Sequence, residues 1–228
     1  MTTLELDPMD LAALLCSRVC HDVISPVGAI VNGLEVLEDE QDAGMREVAL
    51  ELIKKSAASA SARLQFCRLA FGAAGSAGAS IDTGDAESVA RGLLASEKTT
   101  LAWHAARRLA PKNKVKLLLN LCLIAAGTIP RGGVLSVDLT GEGDEIAMKI
   151  ASHGTNARLA NGVCELLAAR PEGGRVDAHT IQPYFAGLVA QQCGMAIDVA
   201  TAPEAVTLLA RPMARPTLAP APEAAAAV

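Results

Sequence analysis

The strongest constraint on this chain is an apolar repeat near its start. Leu15, Val19, Val23, Pro26, Val27, Ile30, Leu34 and Leu37 recur at spacings of three and four, the period of one helical face. The pattern predicts a long amphipathic helix from Pro8 to about Leu37, with Asp7 as N-cap and Pro8 at the first helical position. Pro26 falls inside it, removes one backbone donor and should bend or loosen the helix near its middle. That proline either adjusts local geometry or is a tolerated kink. The polar turn EDEQDAG follows. A second helix is expected from about Met45 to Phe71, with Val48, Leu52, Ser56, Ala60, Leu64 and Cys67 tending to one side. Two helices joined by so short a turn make an antiparallel hairpin, and a hairpin alone buries too little surface. The expected solution is a homodimer whose two hairpins complete a four-helix bundle.

The pattern changes after residue 71. Residues 72–80, GAAGSAGAS, are a small-residue linker that cannot pack a core. Beyond it, helices are expected near Asp85–Ser96, Lys112–Ala126, Arg158–Ala168 and Thr180–Gln192, and strands near Leu101–His104, Val134–Leu139, Glu145–Ile150, Met195–Ala200 and Ala205–Ala210. This order implies an α/β sandwich over residues 81–213, with helices covering one face of a sheet. The fold class is therefore α+β, with a helical hairpin over residues 1–71 preceding the sandwich. Residues 214–228 are Pro/Ala-rich and read as a disordered tail.

Composition excludes several functions. Aromatics are 2% of the chain, too few for base-stacking platforms, and a formal charge of -5 with no Lys/Arg block argues against nucleic acid. The chain is 51% hydrophobic and 20% charged, and no uncharged run reaches the length of a membrane span. The acidic start MTTLELDPMD is unlike a signal peptide, so a cytoplasmic location is expected, with all six cysteines reduced. Cys16 and Cys20 lie just before His21, but no second ligand pair follows at zinc spacing, and no bound metal or cofactor is expected.

His21 is the residue that does not fit the apolar pattern. At about 100° of rotation per residue, it points away from the apolar arc of the first helix. Ser17, Ser25, Gly28 and Asn32 lie on its side, and Arg18 lies near it, placed either to contact a partner or to be solvated. These mostly small side chains leave room for another protein, and Asp22 can accept a hydrogen bond from one ring nitrogen. His104, His153 and His179 read as structural or solvated.

The stretch His21-Asp22-Val23-Ile24-Ser25-Pro26 resembles the phosphoacceptor box of histidine kinases, carried on the first helix of a dimeric hairpin. In such kinases an α/β domain downstream holds ATP. Here Leu119-Asn120-Leu121-Cys122-Leu123-Ile124-Ala125 and the Pro130-Arg131-Gly132-Gly133 turn match that framework, but Ile124 stands where the magnesium-binding Asn belongs. Ser152 replaces the adenine-reading Asp of the Asp-x-Gly-x-Gly motif. Of the phosphate-clamping glycines before the last helix, only Gly187 could be a remnant. An isoleucine offers magnesium no lone pair.

An acceptor histidine joined to a degenerate nucleotide domain resembles the alphaproteobacterial histidine phosphotransferases of the ChpT type. The resemblance implies a relay in cell-cycle signalling. His21 would take a phosphoryl group from the receiver domain of a hybrid histidine kinase and pass it to response-regulator receivers, with Mg2+ supplied by the receiver and no ATP bound. A receiver would dock around Ser17, Arg18, Ser25, Gly28 and Asn32, its helix packing near Val31 or Leu34, with Arg158, Arg170 and Arg175 available on the second domain. The alternatives are a divergent ATP-dependent kinase and a dimeric adaptor that docks receivers without carrying phosphate.

Overall fold

The computed structural model describes residues 6–72, 80–96, 98–170 and 175–213. Most of the expected linker and the whole of the expected tail lie outside these residues. Helix α1 runs from Pro8 to Asp39 without a break at Pro26. Asp7 caps it, accepting from the Met9 N–H at 2.8 Å. Helix α2, Ala43–Ala70, starts at Asp42, whose Oδ1 accepts from the Met45 N–H at 2.9 Å. The two pack antiparallel as the expected hairpin.

The faces of the hairpin differ from expectation. The α2 seam against α1 is built from small residues, with Ala49, Ser56, Ala60 and Cys67 buried, while Val48, Leu52 and Leu64 point outward. Gly33 meets this seam so closely that a Cβ would stand 2.7 Å from Ile53 Cγ1. Close approach of the backbones selects small side chains inside and turns larger aliphatics out. The α1 arc divides for the same reason. Val19, Val23, Pro26 and Ile30 are half-buried, whereas Val27 and Leu34, with Ile24 and Val31, form an exposed apolar stripe.

The second half is a five-stranded sheet with helices on one face. Its strands are β2 (Thr99–Trp103), β4 (Gly133–Thr140), β5 (Ala147–His153), β6 (Met195–Ala202) and β7 (Ala205–Pro212), in the order β2-β4-β5-β7-β6. Only the β2–β4 pair is parallel. In register, Val137 faces Ile150, which faces Leu208, which faces Val199. Alternate residues of β4, β5 and β7 are buried, as expected for a sheet covered on one side. Helices α3 (Thr83–Leu94), α4 (Lys112–Gly127) and α6 (Ile181–Gln192) supply the covering layer.

Several details correct the sequence reading. Ser80, assigned to the linker, opens a short strand, β1 (Ser80–Asp82), paired with β3 (Leu109–Pro111). Segments of three residues carry no readable period. The expected helix at 158–168 shrinks to α5, Val163–Leu167. Gly162 before it is left-handed at φ 77°, and the Arg158 N–H donates to the Thr128 carbonyl rather than into a helix.

The hairpin is built into the second half rather than merely tethered to it. Phe66, Leu69 and Ala70 at the end of α2 belong to the main core with Leu118, Leu121 and Ile150. The start of α1, through Leu11, Leu14 and Leu15, packs on a second cluster made by Leu166, Ala169, Ile181 and the fully buried Tyr184.

Candidate phosphoacceptor site

A helix with one face on α2 and another bearing the apolar stripe keeps a third face open, and that face carries His21. Its side chain is 68% exposed. Ser17, Ser25, Gly28 and Asn32 are exposed on the same side, so the expected residues do come together. Nothing lies within 4 Å of a Cβ built on Gly28. Its small size therefore serves no packing need of its own chain.

Asp22 sits at the edge of this face, with its side chain 18% exposed. One carboxylate oxygen accepts from Arg18 Nε at 3.0 Å; the other lies 3.5 Å from His21 Nδ1. The Arg18–Asp22 pair spans one helical turn and fixes the carboxylate. Arg18, expected on the docking face, thus holds Asp22. The contact to His21 is long for a hydrogen bond, so Asp22 biases the ring without clamping it. With Nδ1 turned toward Asp22, Nε2 is the outward nitrogen.

Beneath Asp22 is a cavity of about 210 Å³ lined by Arg18, Arg63, Phe66, Cys67 and Phe71 among others. Burial pushes the Cys67 thiol up to about 11, and the Asp22 charge adds to the effect. The Nε of Arg63 is buried with no hydrogen-bond partner among the described residues. No sequence pattern singled out Arg63.

The structure also brings up a residue that sequence reasoning set aside. The His179 ring lies edge-on to His21, with centroids 5.8 Å apart and planes at 79°. His179 precedes α6 and is far from His21 along the chain, so no local spacing could reveal the pairing. His104, by contrast, is an exposed strand-end residue whose Nδ1 lies 3.3 Å from Asp138 Oδ1, and His153 is exposed at the end of β5. Arg158, Arg170 and Arg175 are exposed away from any contact with His21.

The nucleotide-motif positions have been absorbed into packing. Ile124 lines a cavity of about 340 Å³ with Leu123, Leu159, Val163, Gln182 and Pro183, among others, and Arg18 and His179 border the same space. Ser152 is fully buried, its Oγ 2.6 Å from Thr128 Oγ1 and donating to the Val206 carbonyl at 3.2 Å. At Gly187 a Cβ would stand 2.5 Å from the Leu167 carbonyl oxygen, so the glycine permits α6 to meet α5. Asn120 donates to the carbonyls of Ala70 at 3.0 Å and Lys116 at 2.9 Å, and Gln182 Nε2 donates to the Asn120 carbonyl at 2.9 Å. These side chains satisfy one another.

Comparison with known proteins agrees with this arrangement. The profile of the histidine phosphotransferase C-terminal domain matches residues 83–205. Protein phosphotransferase ChpT of Brucella abortus (strain 2308) is 52% identical over 202 residues, which span 88% of this chain and 95% of that protein. A bacterial phosphotransferase structure at 1.7 Å superposes with a TM-score of 0.84 and 47% identity, covering 92% of this chain and 100% of the other. A relative this similar, covering nearly its whole length with the same hairpin and sheet, decides the assignment: the chain belongs to the histidine phosphotransferase family.

Proposed function

We propose that this protein is a phosphorelay intermediate in which His21 carries the phosphoryl group between receiver domains. The observation that carries the reading is the exposed His21 ring, with Nδ1 toward an Arg18-held carboxylate and Nε2 free. In the forward step Nε2 attacks the phosphorus of a receiver phosphoaspartate. The P–N bond forms as the P–O bond to the aspartate breaks, and the carboxylate leaves with its electron pair. The Nδ1 proton stays on the ring, where Asp22 offsets the positive charge. The reverse step, onto the aspartate of a second receiver, passes through the same geometry. Phosphoryl transfer asks mainly for alignment and charge neutralisation, and Mg2+ arrives with the receiver.

The donor in this reading is the receiver of a hybrid histidine kinase, the acceptors are response regulators, and the setting is cell-cycle signalling in the cytoplasm. ATP has no part. Ile124 and Ser152 offer no magnesium or adenine ligand where kinases place them, and Asn120 is engaged in internal hydrogen bonds.

The exposed stripe of Ile24, Val27, Val31 and Leu34, together with Met45, Val48 and Leu52 on α2, supports homodimerisation into a four-helix bundle. Helix α1 is long and apolar enough by composition to cross a membrane, a feature missed by counting uncharged runs. It also carries Arg18, His21, Asp22, Glu35 and Glu38. A bilayer core would reject these, whereas a second hairpin covers the stripe and leaves them wet.

The test is incubation with a phosphorylated receiver domain. The expected result is acid-labile label on the wild type that is absent from His21→Ala. Label surviving in that variant overturns the assignment, and saturable magnesium-dependent binding of an ATP analogue overturns the exclusion of nucleotide.

A further inference from the structure

We infer that His179 is a positioning residue that holds the His21 imidazole in its reactive orientation. This rests on the reading of His21 as phosphoacceptor. Asp22 reaches His21 Nδ1 only at 3.5 Å, too far to restrain an exposed ring by itself. A ring free to rotate would spend much of its time with Nε2 misdirected, and phosphoryl transfer depends on in-line approach. His179 supplies the missing restraint. Its centroid lies 5.8 Å from that of His21 at an interplanar angle of 79°, the edge-to-face geometry that aromatic pairs favour.

The residue is presented by a rigid turn. Asp177 Oδ1 accepts from the backbone N–H groups of His179 and Thr180, both at 2.9 Å, and from Thr180 Oγ1 at 2.8 Å. The Ile181 N–H donates to the Asp177 carbonyl at 2.8 Å, which locks the turn onto the start of α6. Packing of Leu11, Leu14 and Leu15 on the Tyr184 cluster fixes α6 against α1 and thereby sets the spacing between the two rings. Arg18 and Asp22 from α1 stand beside His21, and Asp177 from the turn stands beside His179. His179 touches no phosphoryl oxygen in this scheme; it acts through His21, and it makes the second half of the protein a contributor to transfer.

The experiment follows transfer from a phosphorylated receiver to the full chain by rapid quench across receiver concentrations, beside proton NMR of the His21 ring. His179→Ala is expected to lower the saturated rate about tenfold while the half-saturating receiver concentration changes less than about twofold. The same variant should shift the His21 ring protons as the neighbouring ring current disappears. His179→Phe, which keeps a ring edge, should restore most of the rate. A wild-type rate in His179→Ala, a loss confined to the half-saturating concentration, or a His179→Phe as slow as His179→Ala overturns the inference alone. A wild type that takes no label overturns the relay reading and this inference with it.

Discussion

Asn120 on α4 donates to the carbonyl of Ala70, the last residue of α2, at 3.0 Å. A residue type that belongs to the nucleotide framework in kinases here satisfies the buried last carbonyl of α2. Asn120→Leu should therefore cost about 2 kcal/mol, because it strands the Ala70 carbonyl and one Gln182 contact. Urea unfolding of the variant, compared at equal m-value, measures this.

Asp22→Asn should slow transfer about tenfold or more, since the charge opposite the developing imidazolium is lost. Its effect on folding should be small, about 1 kcal/mol, because Asn keeps an amide oxygen that can accept from Arg18 Nε. Rapid-quench transfer beside thermal melting separates the two effects.

Val31→Glu and Leu52→Glu each place a charge in the proposed bundle. Each should weaken dimerisation by at least about a hundredfold, from burial of an uncompensated carboxylate. Sedimentation equilibrium reads the change directly, and dimers surviving in both variants would place the interface elsewhere.

Two close-approach glycines should differ in what a methyl group costs. Gly187→Ala sets a Cβ 2.5 Å from the Leu167 carbonyl oxygen and 2.8 Å from that of Leu166, both rigid backbone. The expected loss is about 1–3 kcal/mol. Gly33→Ala sets a Cβ 2.7 Å from Ile53 Cγ1, an atom held by the stiff rotamer of a β-branched residue in a helix, so α1 and α2 must part slightly. The gain of about 1 kcal/mol in helix propensity offsets part of the cost, and chemical denaturation should show a smaller loss than for Gly187→Ala.

The thiols should differ in reactivity. Burial holds Cys67 at about 11 and Cys122 at about 12, so neither forms appreciable thiolate at pH 8. Cys16, Cys20 and Cys164 are exposed. Iodoacetamide followed by peptide mass spectrometry should label these three first and leave Cys67 and Cys122 unmodified until the protein unfolds.

The turn that presents His179 has a predictable pH dependence. Hydrogen bonds from Thr180, first from its side chain and then from its backbone, hold the Asp177 carboxyl below its usual 3.8. A folded value below the unfolded one means that the turn's contribution is present above 3.8 and lost as pH falls through the folded value. The Asp177 carboxyl carbon shift should stay near its ionised value from pH 7 to pH 5 and move only below 3.8, as NMR titration would register.

The helical period alone determined that residues 8–37 form one helix, that a second antiparallel helix follows, and that His21 stands off the packed face. These are local consequences of where apolar residues recur, and the α/β order of the second half was legible for the same reason. Tertiary structure decided what the period cannot encode. Whether Val27 and Leu34 are core or surface depends on how closely Gly33 and Ala49 let the two backbones approach. The short β1–β3 pair joins segments about thirty residues apart and brings Asp82 to within 2.7 Å of Arg107. The fate of Asn120 depends on Ala70 arriving beside it. The meeting of His21 with His179 depends on α1 docking against α6 through Tyr184. Side-chain period is a property of one element, whereas burial and ring contact belong to pairs of elements distant in sequence, and only the folded chain sets those distances.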